Sequence, residues 1–84
     1  MNIFVGNLDY QTTESQLKDL FAEFGEVKSV NIVTDTYTKR SRGFAFVEMR
    51  EKADGEKAIR KLDKSSLNQK SLVVNEARAR NRSY

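Results

Sequence analysis

The chain contains neither cysteine nor histidine. Without cysteine, it has no disulfide framework and no thiolate chemistry. The missing histidine removes the most common general base and the most common metal ligand, and structural zinc sites need one of these two residue types. We therefore expect no metal, no cofactor and no disulfide, and the sequence disfavours catalysis.

Long apolar runs are also missing. No stretch approaches the roughly 20 residues of a membrane span, and the first six residues lack the basic segment of a signal peptide. The sequence therefore predicts a soluble, cytoplasmic protein with no membrane partner. Because 84 residues suffice for one domain and the first predicted strand begins almost at the N-terminus, we expect a complete small protein.

The charges are distributed unevenly along the chain. Residues 9–26 hold five acidic residues and one lysine, whereas the rest of the chain holds 14 basic and seven acidic residues. The net charge of +3 thus combines an acidic segment with a basic remainder. Two explanations remain open: ordinary scatter of surface charge, or one side of the protein that faces a polyanion.

Apolar periodicity predicts four strands, at residues 2–6, 27–34, 43–49 and 72–76, and a second helix at about 52–62 without an evident N-cap. The first helix has clearer signals. Thr13 and Gln16 fit a capping box, apolar residues follow at helical spacing, and Gly25 stands where a left-handed residue often ends a helix.

The order of these elements is β-α-β-β-α-β. Handedness and layer rules then favour an α+β fold, a ferredoxin-like sandwich in which two helices cover one face of a four-stranded antiparallel sheet. The other face of the sheet is left open.

Strand alternation assigns side chains to these two faces. In the first strand Ile3 and Val5 suit the core, so Phe4 points to the open face. In the third strand the core positions are Ala45, Val47 and Met49, and the open-face positions are Arg42, Phe44, Phe46 and Glu48.

Three phenylalanines therefore share the open face. Taken singly, each phenylalanine fits a core position better than a ligand-binding one. The alternative register, however, would bury Arg42 and Glu48 without partners, which is costly. An exposed aromatic patch marks an interaction site, and rings flanked by arginine and lysine suit the bases and phosphates of single-stranded RNA.

Two segments resemble the sequence motifs of a known family. Residues 42–49, Arg-Gly-Phe-Ala-Phe-Val-Glu-Met, resemble the longer RNP motif of the RNA-recognition-motif (RRM) family, and residues 3–8, Ile-Phe-Val-Gly-Asn-Leu, resemble the shorter one. The resemblance covers residues 2–77, and the chain is similar to small single-domain bacterial RNA-binding proteins. It implies an RRM domain at residues 1–77, followed at 78–84 by a basic tail that we expect to be flexible.

The resemblance also implies roles for individual residues. Phe4 and Phe44 would each stack on a base, Phe46 would lie between or beneath two sugars, and Arg42 would pair with a phosphate. Outward positions on the outer strands would touch further bases, and basic residues of the loop and tail would add phosphate contacts. These further candidates are Asn31, Val73, Asn75, Lys39, Arg40, Arg78 and Arg80.

The implied function is binding of single-stranded RNA by a monomer, in post-transcriptional regulation or RNA chaperoning. Single-stranded DNA is expected to bind as well, because stacking needs no 2′-hydroxyl. The chain departs from the family at Met49, where an aromatic residue is usual, at Asp9, where proline is frequent, and at three loop positions often held by glycine: Lys39, Lys64 and Gln69.

Two other functions remain as alternatives. Some domains of this family hold a peptide instead of RNA, although those usually lack the sheet aromatics. The same fold class also includes acylphosphatases, which cradle phosphate in a glycine-rich loop. The segment Asn7-Leu8-Asp9-Tyr10 is not such a loop, and no paired carboxylates are evident.

Overall fold

The computed structural model describes residues 1–38 and 41–77, with only the backbone described for Ser41 and Arg42. These residues form two helices and six strands. In chain order the elements are β1 (Asn2–Gly6), α1 (Glu14–Ala22), β2 (Val27–Thr34), β3 (Ser41–Met49), α2 (Lys52–Leu62), β4 (Ser66–Leu67), β5 (Lys70–Ser71) and β6 (Val73–Glu76).

The main sheet has four antiparallel strands in the order β2-β3-β1-β6, and β4 and β5 form a separate hairpin. The two helices pack on one face of the sheet, so the predicted ferredoxin-like sandwich is confirmed. Strands β1 and β2 have the predicted bounds. Strand β3 begins two residues earlier than predicted, at Ser41, and β6 begins one residue later, at Val73.

The core lies between the sheet and the helices. Every side chain assigned to it from β1 and β3 is fully buried, including Met49 at the position where the family usually has an aromatic residue. From the helices, Leu17 and Phe21 of α1 and Ala58 of α2 are fully buried as well. Period-two alternation therefore separates the two faces as the sequence predicted.

Helix α1 begins as the sequence predicted but ends differently. The Gln16 amide donates to Thr13 Oγ1 at 3.1 Å, and the Thr13 amide donates to Gln16 Oε1 at 3.0 Å, which completes the capping box. The prediction that Gly25 is a left-handed cap is wrong, because Gly43 is the one glycine with a positive φ. A Cβ atom at Gly25 would instead clash with the Asp54 carboxylate in the first turn of α2.

Glycine in the middle of α2 has a packing reason. Gly55 is buried, and a Cβ atom there would overlap the side chain of Met1. The N-terminus is fixed nearby, since the Met1 ammonium donates to the Met49 carbonyl at 2.9 Å. Gly55 thus leaves room on α2 for the Met1 side chain, at the helix-propensity cost of a glycine.

The β4–β5 hairpin was not predicted. Leu67 pairs with Lys70, and the two residues between them, Asn68 and Gln69, have φ values of 53° and 69°. Positive φ values at both central residues are typical of a type I′ turn, for which Asn-Gly is the usual sequence. Asn68 Nδ2 donates to Thr12 Oγ1 at 3.0 Å, which holds the hairpin against the segment before α1.

Both outer strands of the main sheet have a backbone amide bound by a carboxylate. On β2, the Ile32 amide donates to Glu14 Oε2 at 3.3 Å. On β6, the Val74 amide donates to Asp63 Oδ1 at 2.9 Å. The two acids belong to the start of α1 and the end of α2, so the helices satisfy part of each sheet edge.

The hairpin turn gives a stability prediction. Gln69→Gly should stabilise the fold by about 1 kcal/mol, because a residue with a Cβ atom is strained at positive φ. For a domain of this size, that gain corresponds to a rise in melting temperature of about 4–8 °C. Thermal unfolding followed by circular dichroism measures the shift.

Lys57→Gly provides the control. Lys57 is exposed within α2, where glycine should destabilise the protein by about 0.5–1 kcal/mol. If Gln69→Gly lowers the melting temperature as Lys57→Gly does, the left-handed conformation of Gln69 is not a source of strain.

Candidate functional site

The open face of the sheet carries a row of side chains that crosses all four strands. Asn31 on β2 is paired with Phe46 on β3, Phe46 with Phe4 on β1, and Phe4 with Asn75 on β6. The row thus places two phenylalanines at the centre and an amide at each end. These four residues were all assigned to this face from the sequence.

A second, shorter row lies beside the first. Gly6 on β1 is paired with Phe44 on β3 and with Val73 on β6. Val73 is 43% exposed, although it lies next to the fully buried Val74. The sequence placed Phe44 and Val73 on the open face, and the register brings them to opposite sides of Gly6.

The three phenylalanine rings form one cluster. The centroid of Phe4 lies 5.9 Å from those of Phe44 and Phe46, and the latter two are 6.1 Å apart. Phe44 and Phe46 meet edge to face at 86°, a favourable arrangement for aromatic pairs. Phe46 is 39% exposed, and Phe4 and Phe44 are half-buried. The cluster therefore presents aromatic surface to solvent.

Gly6 helps to set the position of this cluster. A Cβ atom at Gly6 would lie 2.8 Å from Cε2 of Phe4, closer than real contacts allow. The Phe4 ring consequently lies against the backbone of Gly6, and any larger residue would displace it. Sequence reasoning did not assign a role to Gly6, although the spacing Phe4-Val5-Gly6 was the available signal.

One acidic side chain lies at the margin of the face. Glu48 is paired across the sheet with Asn2 and with Ser29, and its Oε2 lies 3.7 Å from Lys28 Nζ. Both partners are substantially exposed, so the ion pair adds little to stability. In this ion pair, the positive charge of Lys28 offsets the negative charge of Glu48 beside the phenylalanines.

Most of the basic candidates lie outside the described residues. These are Lys39, Arg40, Arg78 and Arg80, together with the side chain of Arg42. The described part of the loop before β3 forms a turn in which Asp35 Oδ1 accepts from the Tyr37 amide at 2.8 Å. Tyr37 is 94% exposed in that turn.

A pocket that the sequence did not reveal lies at the end of the sheet, beyond Gly6 of β1. Its volume is about 380 Å³, and its lining residues come from the loop after β1, the start of β3 and the hairpin: Asn7, Leu8, Asp9, Tyr10, Gly43 and Lys70. Asn7 has a φ of 60°, and its Nδ2 donates to the Ser71 carbonyl at 2.6 Å. The Leu8 amide donates to the Gly43 carbonyl at 2.9 Å. These two bonds hold the pocket's three segments together.

Within residues 1–38 and 41–77, no group of three or more acidic side chains is placed to hold a metal ion. Neither described helix has the length and hydropathy needed to cross a bilayer.

The chain matches the family described as RNA recognition motif over residues 3–73. It is similar to "Putative RNA-binding protein RbpD" of the cyanobacterium Nostoc sp., with 51% identity over 80 residues, which is 95% of this chain and 85% of that protein. Because the match spans most of both chains, the protein belongs to the RNA recognition motif family.

Solved structures agree with this assignment. The crystal structure of RNA Binding Protein PG1 has a TM-score of 0.92 and 43% identity, and the match covers 98% of this chain and 99% of that one. The structure of the Rna15 RRM with bound RNA (GU) has a TM-score of 0.83 and 29% identity, and the match covers 98% of this chain and 87% of that one.

The division between core and open face can be tested with two identical substitutions. Phe21→Ala should lower the free energy of unfolding by about 3–5 kcal/mol, because Phe21 is fully buried. Phe46→Ala should lower it by only about 1–2 kcal/mol, since it mainly loses ring contacts on an exposed face. Urea unfolding of both variants measures the difference, and equal losses would contradict the assignment of Phe46 to an exposed patch.

Proposed function

We propose that the protein binds single-stranded RNA on the open face of its main sheet, by stacking bases on Phe4, Phe44 and Phe46. The observation that carries this proposal is the exposed cluster of three rings on a face that neither helix covers. Membership of the RNA recognition motif family supports it. The name of the Nostoc relative and the RNA bound to the Rna15 domain point to the same partner.

The geometry of the open face fits a chain of unstacked bases. The rings lie about 6 Å apart, so bases that stack on different rings can belong to neighbouring nucleotides. Asn31 and Asn75, at the two ends of the first row, have amide groups that can both donate to and accept from base edges. Stacking is tolerant of sequence and contributes about 1–3 kcal/mol per base.

In this proposal, the basic residues contact the phosphates of the RNA. We propose that Arg42 pairs with a phosphate, and that the loop and the tail add further contacts. Because guanidinium groups form paired hydrogen bonds with phosphate oxygens, arginine suits this role. The proposed contact set beyond the phenylalanines is Asn31, Lys39, Arg40, Arg42, Val73, Asn75, Arg78 and Arg80.

We further propose how this function is organised. Residues 1–77 are the binding domain, and residues 78–84 are a basic, flexible tail that contacts the RNA. The protein acts in the cytoplasm as a monomer, in post-transcriptional regulation or RNA chaperoning, and it has no enzymatic activity. Single-stranded DNA binds the same face, because stacking does not involve the 2′-hydroxyl.

A titration of short labelled single-stranded RNA, followed by fluorescence anisotropy, tests the proposal. The double substitution Phe44→Ala/Phe46→Ala should weaken binding by roughly tenfold or more, because it removes two stacking surfaces. Circular dichroism confirms that the variant is folded before the comparison is made.

Phe24→Ala is the matched control. It removes the same type of side chain from a half-buried position that packs against the core, away from the open face. It should leave the affinity for RNA unchanged while it lowers stability. If the double variant binds as well as the wild type, RNA is not held on the phenylalanines, and binding of a protein partner becomes the better explanation.

Removal of residues 78–84 tests the tail. The truncated protein should remain folded, bind RNA more weakly and show a shallower dependence of affinity on salt. Loss of three arginines should reduce the slope of log affinity against log salt by up to about 2, given a slope of about 0.7 per contact for single strands. An unchanged slope would show that the tail makes no phosphate contact.

A further inference from the structure

We infer that the pocket lined by Asp9, Tyr10 and Lys70 is an additional subsite that binds a guanine base of the same RNA strand. The inference rests on the proposed function, since the rest of the strand would lie on the phenylalanines. It assigns a role to Asp9, which stands where the family frequently has proline.

The pocket lies directly beyond the second row of the open face, at the end of β1 and the start of β3. The second row of that face is Phe44, Gly6 and Val73. Gly43, which directly precedes Phe44, and Asn7, which directly follows Gly6, both line the pocket. In this proposal, a strand that extends past the second row beyond the end of β1 reaches this pocket.

The pocket offers a flat surface for stacking. Tyr10 is 70% exposed, which leaves most of its aromatic side chain available to a ligand. The loop that carries it is fixed, because Asp9 Oδ2 accepts from the Gln11 amide at 3.1 Å and the Asp9 carbonyl accepts from the Thr12 amide at 3.1 Å. The ring is thus presented by an ordered turn.

The charges of the pocket favour a base over a phosphate. Asp9 would repel a phosphate, but its carboxylate has lone pairs left for donors besides the Gln11 amide. Guanine is the one RNA base whose Watson–Crick edge has two adjacent donors, N1–H and N2–H, next to an acceptor, O6. The carboxylate of Asp9 matches the two donors, and the ammonium of Lys70, on the hairpin, supplies a donor for O6.

The test compares two randomised octanucleotide RNA pools, one made with guanosine and one with inosine in its place. Inosine lacks only the N2 amino group. The wild type should bind the guanosine pool roughly five-fold or more tightly, because a paired contact to a base edge discriminates by about that factor. Asp9→Asn should reduce the preference to less than about two-fold, since asparagine replaces one of the two carboxylate oxygens with an NH2 group, which donates and cannot accept from guanine.

Asp9→Asn is chosen because asparagine can still accept from the Gln11 amide, so the turn is kept. Asp19→Asn on α1 makes the same charge change on an exposed site of the helical side and should retain the full preference. Tyr10→Ala and Lys70→Gln should each weaken binding of the guanosine pool by roughly three-fold or more. Lys57→Gln on α2 controls for the loss of one positive charge.

The outcomes separate this inference from the function on which it rests. If the wild type shows no preference, or if Asp9→Asn keeps it, the guanine subsite is refuted. Should Phe44→Ala/Phe46→Ala still weaken binding by roughly tenfold or more in that case, RNA binding by the open face stands without the subsite. If the wild type binds neither pool, both proposals fall together.

Discussion

The structure depends on one constraint, which is the fixed register of β1 between β3 and β6. Phe4 lies opposite Phe46 on one side and Asn75 on the other, while its neighbours Ile3 and Val5 are fully buried. A shift of one residue would bury the ring and expose the aliphatic side chains. The same register that forms the core therefore assembles the phenylalanine cluster, and neither could change without the other.

This coupling explains why so much of the fold and of the open face was predictable from the sequence. The alternation of buried and open-face side chains along a strand is a local property. It is observed in β1 and β3 because helices pack on one face of each strand. The capping box of Thr13 and Gln16 is also local, and it was predicted correctly. The resemblance to the family placed Asn31 and Asn75 at outward positions of the outer strands, and the strand pairing puts them in one row with Phe4 and Phe46.

Features that depend on contacts between distant segments were not predictable. Gly25 was interpreted as a helix cap. In the structure it leaves room for the side chain of Asp54, which is 29 positions further along the chain. The β4–β5 hairpin is a local feature, but it was not predicted because Gln69 occupies a turn position that normally has glycine. The pocket beside the open face brings together residues as far apart as Asn7 and Lys70. No sequence pattern within a short window indicates that residues so far apart in the chain are close together in the fold.

The acids that bind the sheet edges have a consequence for assembly. Because Glu14 accepts from an amide of β2 and Asp63 from an amide of β6, each outer strand already has one amide bound by the protein's own side chain. A sheet edge with free amides can pair with strands from other molecules, which is a route to aggregation. Here, a second molecule would have to break a bond to a carboxylate before the two sheets could pair at either edge. The two carboxylates therefore disfavour edge-to-edge pairing between copies of this domain.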